Sequence, residues 1–255
     1  MKMVQRFILP VLVLLVVGVL AFSFLFQDKH VAEGRRLYVK YCSPCHGPSG
    51  RGDGYNSANL DPQPKDLTDR DEPYMANLTN TEIYEVIQKG GKGLDMAPLM
   101  PVFGGTLSQE EMWDLVSFVR TLHPYKGEKV KFTPDIDIKR PRAPAVQATE
   151  FEELLKSEVN GEGKEKELIE EGKKQFSDNG CIACHRIGSE GGKLGPDLSR
   201  AGFMLQRQYI YRWIRNPQSF KPNTRMPNLG LSKEEAMAIT LYLGTLKEEA
   251  HAAAN

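Results

Sequence analysis

The chain has 255 residues, room for one large domain or two small ones. It carries 33 basic and 33 acidic side chains, so it has no net formal charge and its bulk composition points to no nucleic-acid partner. Its four cysteines, Cys42, Cys45, Cys181 and Cys184, form two pairs of identical spacing, and none is left over for a disulfide elsewhere.

Lys2 and Arg6 precede an uncharged run from Phe7 to Phe26 that ends at Gln27-Asp28-Lys29. Twenty apolar residues at helical rise cover roughly 30 Å, the depth of a bilayer core. A cleaved signal peptide has an apolar core of roughly 7–15 residues and a small-residue cleavage site. Here the one small-x-small candidate is Ala21-Phe22-Ser23, and bulky residues follow it. The run is therefore expected to be an uncleaved anchor. The basic residues before it predict a cytoplasmic N-terminus, with the rest of the chain outside. No later stretch is long and apolar enough to cross again.

After the anchor a pattern appears twice. Glu33-Gly34-Arg35-Arg36-Leu37-Tyr38 precedes the first cysteine pair, and Glu171-Gly172-Lys173-Lys174-Gln175-Phe176 precedes the second. Glycine and an aromatic ring stand one helical turn apart on one face. Glycine inside a helix costs about 0.5–1 kcal/mol relative to alanine, which is tolerable where another backbone must come close.

Each cysteine pair is a C-x-x-C-H element: Cys42-Ser43-Pro44-Cys45-His46 and Cys181-Ile182-Ala183-Cys184-His185. On a helical turn the two thiols share a face. Both can reach the vinyl groups of one porphyrin edge, and the histidine that follows can face the iron. The pattern reads as c-type heme attachment. A zinc site would not need a histidine directly after each pair. A thioredoxin-like pair would need a βαβ context, which is not visible.

Farther along, Met100-Pro101 leads through Gly104-Gly105-Thr106-Leu107 to Ser108, and Met226-Pro227 leads through Gly230-Leu231 to Ser232. Ser108 with Glu111, and Ser232 with Glu235, predict capping boxes that start helices. Leu115, Val119 and Leu122 give the first helix an apolar stripe, and Ile239, Leu243 and Leu246 give one to the second. These helices are expected to pack on the glycine-bearing ones. Between the copies, Pro124, Pro134, Pro141 and Pro144 mark an extended, semi-rigid linker over 124–148. An acidic helical run from about Glu150 to Glu171 follows and reads as a solvated helix face.

On these motifs each half resembles a class I cytochrome c domain, and the pair resembles a diheme, membrane-anchored c-type cytochrome. The resemblance covers about Val31–Leu122 and Glu167–Leu246. It implies an all-α fold: an anchor over 1–29, a first domain over 30–123, a Pro-rich and acidic linker over 124–166, and a second domain over 167–255. Two covalent hemes c are implied. Cys42 and Cys45 would attach one and Cys181 and Cys184 the other. His46 with Met100, and His185 with Met226, would be the iron ligands. Met75, Met96, Met204 and Met237 are the competing methionines, and most methionines serve packing. His30, His123 and His251 are read as surface residues. In the family a proline carbonyl orients the axial imidazole. Pro196 in Leu194-Gly195-Pro196-Asp197-Leu198 fits that role, whereas Pro64 lacks the preceding glycine. The stretch from Tyr209 to Pro217, with Trp213 and Arg215, resembles the family helix over the heme propionates.

Six-coordinate iron leaves no open site, and a thioether ligand raises the potential. The resemblance therefore implies electron transfer with no substrate turned over. The chain would serve as a subunit or tethered shuttle between a quinol-oxidising complex and a downstream acceptor or oxidase, outside the membrane. The alternative is a diheme enzyme such as a cytochrome c peroxidase, which needs one iron able to open. From Cys42 to Gly105 there are five basic and nine acidic residues, and from Cys181 to Gly230 eight basic and two acidic. Such asymmetry would steer different redox partners to the two domains.

Overall fold

The computed structural model describes residues 29–247 except 71, 72, 95, 142, 144 and 160. The expected span Phe7–Phe26 and His251 lie outside the described residues. No helix among the described residues is long and apolar enough to cross a membrane.

Helix α1 (29–41) runs into the short α2 (Ser43–His46). Helices α3 (Asn80–Lys89) and α4 (Gln109–Val119) complete the first half. The second half opens with α5 (Glu150–Glu158) and α6 (Glu162–Asp178), followed by the short α7 (Cys181–Cys184). A two-residue antiparallel hairpin follows, with Arg186 of β1 (Arg186–Ile187) opposite Gly191 of β2 (Glu190–Gly191). Then come α8 (Ala201–Met204), α9 (Arg207–Arg215), α10 (Pro217–Phe220) and α11 (Lys233–Thr245). The architecture is helix-rich, with this hairpin as the departure from an all-α chain among the described residues.

The two copies are built on one crossing. A Cβ on Gly34 would stand 1.9 Å from the Asp114 carbonyl oxygen of α4, and one on Gly172 would stand 1.9 Å from the Ala238 carbonyl oxygen of α11. Only glycine allows backbones to meet so closely. The aromatic one turn later seals each crossing: Tyr38 on Phe118 with ring centroids 5.0 Å apart, and Phe176 on Tyr242 at 5.9 Å. Both capping boxes form, so Ser108 and Ser232 each accept from a backbone N–H while Glu111 and Glu235 reach back. Leu115 and Val119, like Ile239 and Leu243, point into their cores.

Three expectations are corrected. The acidic run is a solvated face only in part: it breaks into α5 and α6, and while most of its charged residues are exposed, Phe151 of α5 is buried against Tyr211 of α9, centroids 5.4 Å apart. Burying a side chain of that size is worth about 1.5–3 kcal/mol, enough to fasten α5 to the second core. Glu150 also accepts from the Tyr211 hydroxyl at 2.7 Å and pairs with Lys233 at 3.2 Å. His30 and His123 are buried where a surface position was expected. His30 lies 2.5 Å from Asp114 and stacks on Phe132 of the linker. His123 donates from Nδ1 to the Leu67 carbonyl oxygen at 3.1 Å and accepts from the Arg120 guanidinium at Nε2, also at 3.1 Å.

The linker is extended but tied down. Val130 is buried in the first core, and Arg140 grips Glu111 with bonds of 2.5–3.0 Å. Farther on, the Ala143 carbonyl accepts from Asn216 at 3.2 Å and Val146 packs on the second core.

Candidate cofactor-binding sites

In the first half, α1 gives way to α2 at Cys42, whose carbonyl accepts from the Cys45 N–H at 3.1 Å and the His46 N–H at 2.9 Å. That single turn puts Cys42, Cys45 and His46 on one wall of an apolar cavity of about 390 Å³. Its other linings include Ile83, Ile87 and Phe103. The Tyr38 hydroxyl donates to the Gly47 carbonyl at 2.8 Å and so holds the end of the turn on α1.

His46 Nδ1 lies 3.0 Å from the Lys65 carbonyl oxygen. A carbonyl can only accept, so Nδ1 carries the proton and Nε2 keeps its lone pair. The acceptor is Lys65, one residue beyond Pro64. Without the glycine that precedes Pro196 in the second copy, the loop meets the ring one residue later. In the second half His185 Nδ1 lies 2.8 Å from the Pro196 carbonyl oxygen, as expected. The ring lies flat on Gly195, where a Cβ would stand 2.5 Å from it. Asp197 anchors this loop by accepting from Ser199 and Arg186, and these bonds hold its carboxyl down at about 2.

Burial pushes both imidazoles below their ordinary range, partly offset by the carbonyls of Lys65 and Pro196. Each is therefore neutral near pH 7, the form that binds metal. Burial also pushes the thiols of Cys42, Cys181 and Cys184 up to about 12. No cluster of three or more His, Cys, Asp or Glu suited to a metal ion occurs among the described residues.

Of the methionines, Met100 packs against the first core and lines the cavity. Met96 lines it too, but is 49% exposed. Met75 lines it as well, but is buried among core side chains. In the second half Met226 is held by Trp213, whose indole N–H donates to its sulfur at 3.0 Å, and by Gln218, which donates to its carbonyl at 3.0 Å. Trp213 thus addresses the Met226 sulfur, a role its resemblance to the propionate-side helix does not contain. Met237 is buried within α11, and Met204 is exposed.

Two family models match the chain: "Cytochrome C oxidase, cbb3-type, subunit III" over residues 29–119 and "Cytochrome c" over residues 169–247. Both halves of this chain are cytochrome c domains. The molecule is a diheme-type c cytochrome, and its domains imply heme c binding and heme-based electron transfer. "Cytochrome c oxidase subunit 2" of Alkalihalophilus pseudofirmus is 34% identical over 89 residues, 31% of this chain and 26% of that protein. The cytochrome thus spans about a quarter of that relative's length. A chain of the reducing HAO-like protein complex of Kuenenia stuttgartiensis aligns over 85% of this chain and 96% of its own, with 22% identity and a TM-score of 0.31. That TM-score is too low to carry an argument.

The residues present fit heme c. Each site offers two thiols and a neutral imidazole with a free Nε2 on one turn, and the first adds an apolar cavity shaped by Met100. The cysteines are free thiols, available for thioether formation.

Proposed function

We propose that this cytochrome carries electrons through two covalently bound hemes on the outer face of a membrane to which residues 7–26 anchor it. The observation that carries the reading is the carbonyl-oriented histidine on the C-x-x-C-H turn in each half, with His46 lining one apolar cavity together with Met100 in the first half. Bound heme supplies an iron that cycles between ferrous and ferric forms. The chain supplies everything else. Cys42, Cys45, Cys181 and Cys184 hold the porphyrin edges. His46 and His185 approach the iron as neutral imidazoles whose rings Lys65 and Pro196 keep from rotating. Met100 and Met226 would supply the second protein ligand to each iron, which would leave no position for an exogenous ligand and favour transfer over catalysis. The cytochrome acts as a subunit or tethered shuttle between a quinol-oxidising complex and an oxidase. The oxidase-subunit family model over the first domain and the oxidase-subunit relative support a partner of that kind.

Optical spectra of the purified holoprotein test the ligand set. Met100→Ala and Met226→Ala should each convert one heme from low to high spin and abolish its methionine–iron charge-transfer band. Met96→Ala should leave both hemes low spin. A low-spin spectrum that survives Met100→Ala but not Met96→Ala would reassign the ligand.

A further inference from the structure

We propose that Asn56 is the positioning residue that couples the two heme sites, holding their attachment turns edge to edge so that an electron passes between the irons inside one chain. The proposal rests on the reading of both C-x-x-C-H turns as heme-binding. Asn56 belongs to the first domain and is fully buried, with 0% exposure. Its Nδ2 donates to the Ala183 carbonyl at 2.8 Å and lies 3.5 Å from the Cys45 sulfur. Its Oδ1 accepts from the Lys193 N–H at 2.8 Å. One planar amide therefore touches the first attachment turn, one of the two residues between the cysteines of the second, and the loop just after the hairpin.

The geometry around it agrees. Ala183 and Cys184 of the second turn wall the same cavity as Cys45 and His46 of the first. Across the same interface, Thr106 Oγ1 accepts from the Asn228 N–H at 2.8 Å and so ties the loop after Met100 to the loop after Met226. Lys92 donates to Asn179, just before the second turn, at 2.9 Å. Ligand loops and attachment turns of both domains thus bear on one another. A buried amide left without partners costs about 1–3 kcal/mol, so the three bonds of Asn56 hold the domains in one register. Being neutral, Asn56 adds no charge between the irons. The transfer itself moves one electron: one iron goes from ferrous to ferric, the other from ferric to ferrous, and no proton or bond changes place.

The test uses the full-length holoprotein. Heme content and spin state are read first, then the rate of electron equilibration between the hemes after one is photoreduced, in dilute solution. Hydrogen exchange at the Lys193 amide reports the clamp without reference to the hemes. Asn56→Ala should keep two low-spin hemes, lose protection at Lys193, and slow equilibration severalfold, because tunnelling weakens as the irons move apart. Thr106→Val, which removes the acceptor for Asn228, should slow it as well and decides the matter if Asn56→Ala does not fold. An unchanged rate with Lys193 protection lost would overturn the proposal, as would wild-type equilibration that scales with protein concentration. A wild-type protein without the second heme would defeat the functional reading itself, before any rate is measured.

Discussion

His30 and Asp114 meet 2.5 Å apart inside the first domain, at the crossing of α1 and α4. Burial, reinforced by Glu110, Glu33 and Glu111, pushes the Asp114 carboxyl up to about 8. Burial pushes His30 down from 6.5. Both shifts favour an uncharged pair that shares one proton. Between the free values of 3.8 and 6.5 the unfolded chain also holds one proton, on the histidine, so the two states balance. Above 6.5 the unfolded chain gives its proton up, whereas the folded pair keeps it until about 8. The native state then binds more protons, and stability falls as pH rises through that window. The loss should be on the order of 2 kcal/mol. Denaturant midpoints measured across the window should drop for the wild type and stay flatter for Asp114→Asn; equal slopes would remove the pair from the account. Sequence alone did not disclose this pair. A histidine at a segment edge carries no mark of a carboxylate 84 residues away, and the acid lies on a helix face that patterning leaves ambiguous. The attachment residues were legible because heme chemistry fixes their spacing within a single turn. The Lys65 carbonyl was not, because any residue can offer a carbonyl and only the loop's path chooses which one does.

The elements most legible in the sequence were the helices whose ends and faces are set locally. Two capping boxes, two glycine–aromatic pairs and two apolar stripes predicted α1, α4, α6 and α11 and the crossings between them. Physical reach explains this: a cap acts across three residues, and a crossing glycine signals that something must come close. Helix α5 was misread because its four glutamates and its lysine dominate the stretch, although Phe151 is buried and Leu154 and Leu155 pack on the second core. The crossing yields a prediction at this scale. Gly172→Ala puts a methyl group 1.9 Å from the Ala238 carbonyl oxygen, and that obstacle is backbone rather than a flexible side-chain tip. Overpacking of this kind costs about 1–3 kcal/mol. The thermal midpoint of the holoprotein should fall accordingly, and Gly34→Ala should do the same in the first domain. A midpoint unmoved by both substitutions would mean that the helices do not cross there.

Across the whole molecule, the charge asymmetry is smaller than the two heme-bearing stretches suggest taken alone. Arg207 pairs with Glu165 at 3.4 Å, and Glu150 draws in both Lys233 and Arg215. The acidic helices α5 and α6 thus neutralise part of the basic surface of the second domain. Lys221 is exposed and lies apart from these pairs. Lys221→Glu should therefore slow reduction or oxidation by an acidic partner more than Arg207→Glu does, with the difference shrinking as salt is added. Equal effects would mean that this face is not where the partner docks. The interface between domains was the least legible feature, because Asn56, Thr106 and Lys92 are polar residues in loops whose partners lie in the other half of the chain. The most direct measurement is exposure of the dithionite-reduced holoprotein to carbon monoxide while its optical spectrum is recorded. With each iron held between an imidazole and a thioether, the reduced spectrum should stay unchanged. Ready uptake of carbon monoxide at either iron would show an open coordination site and contradict the account.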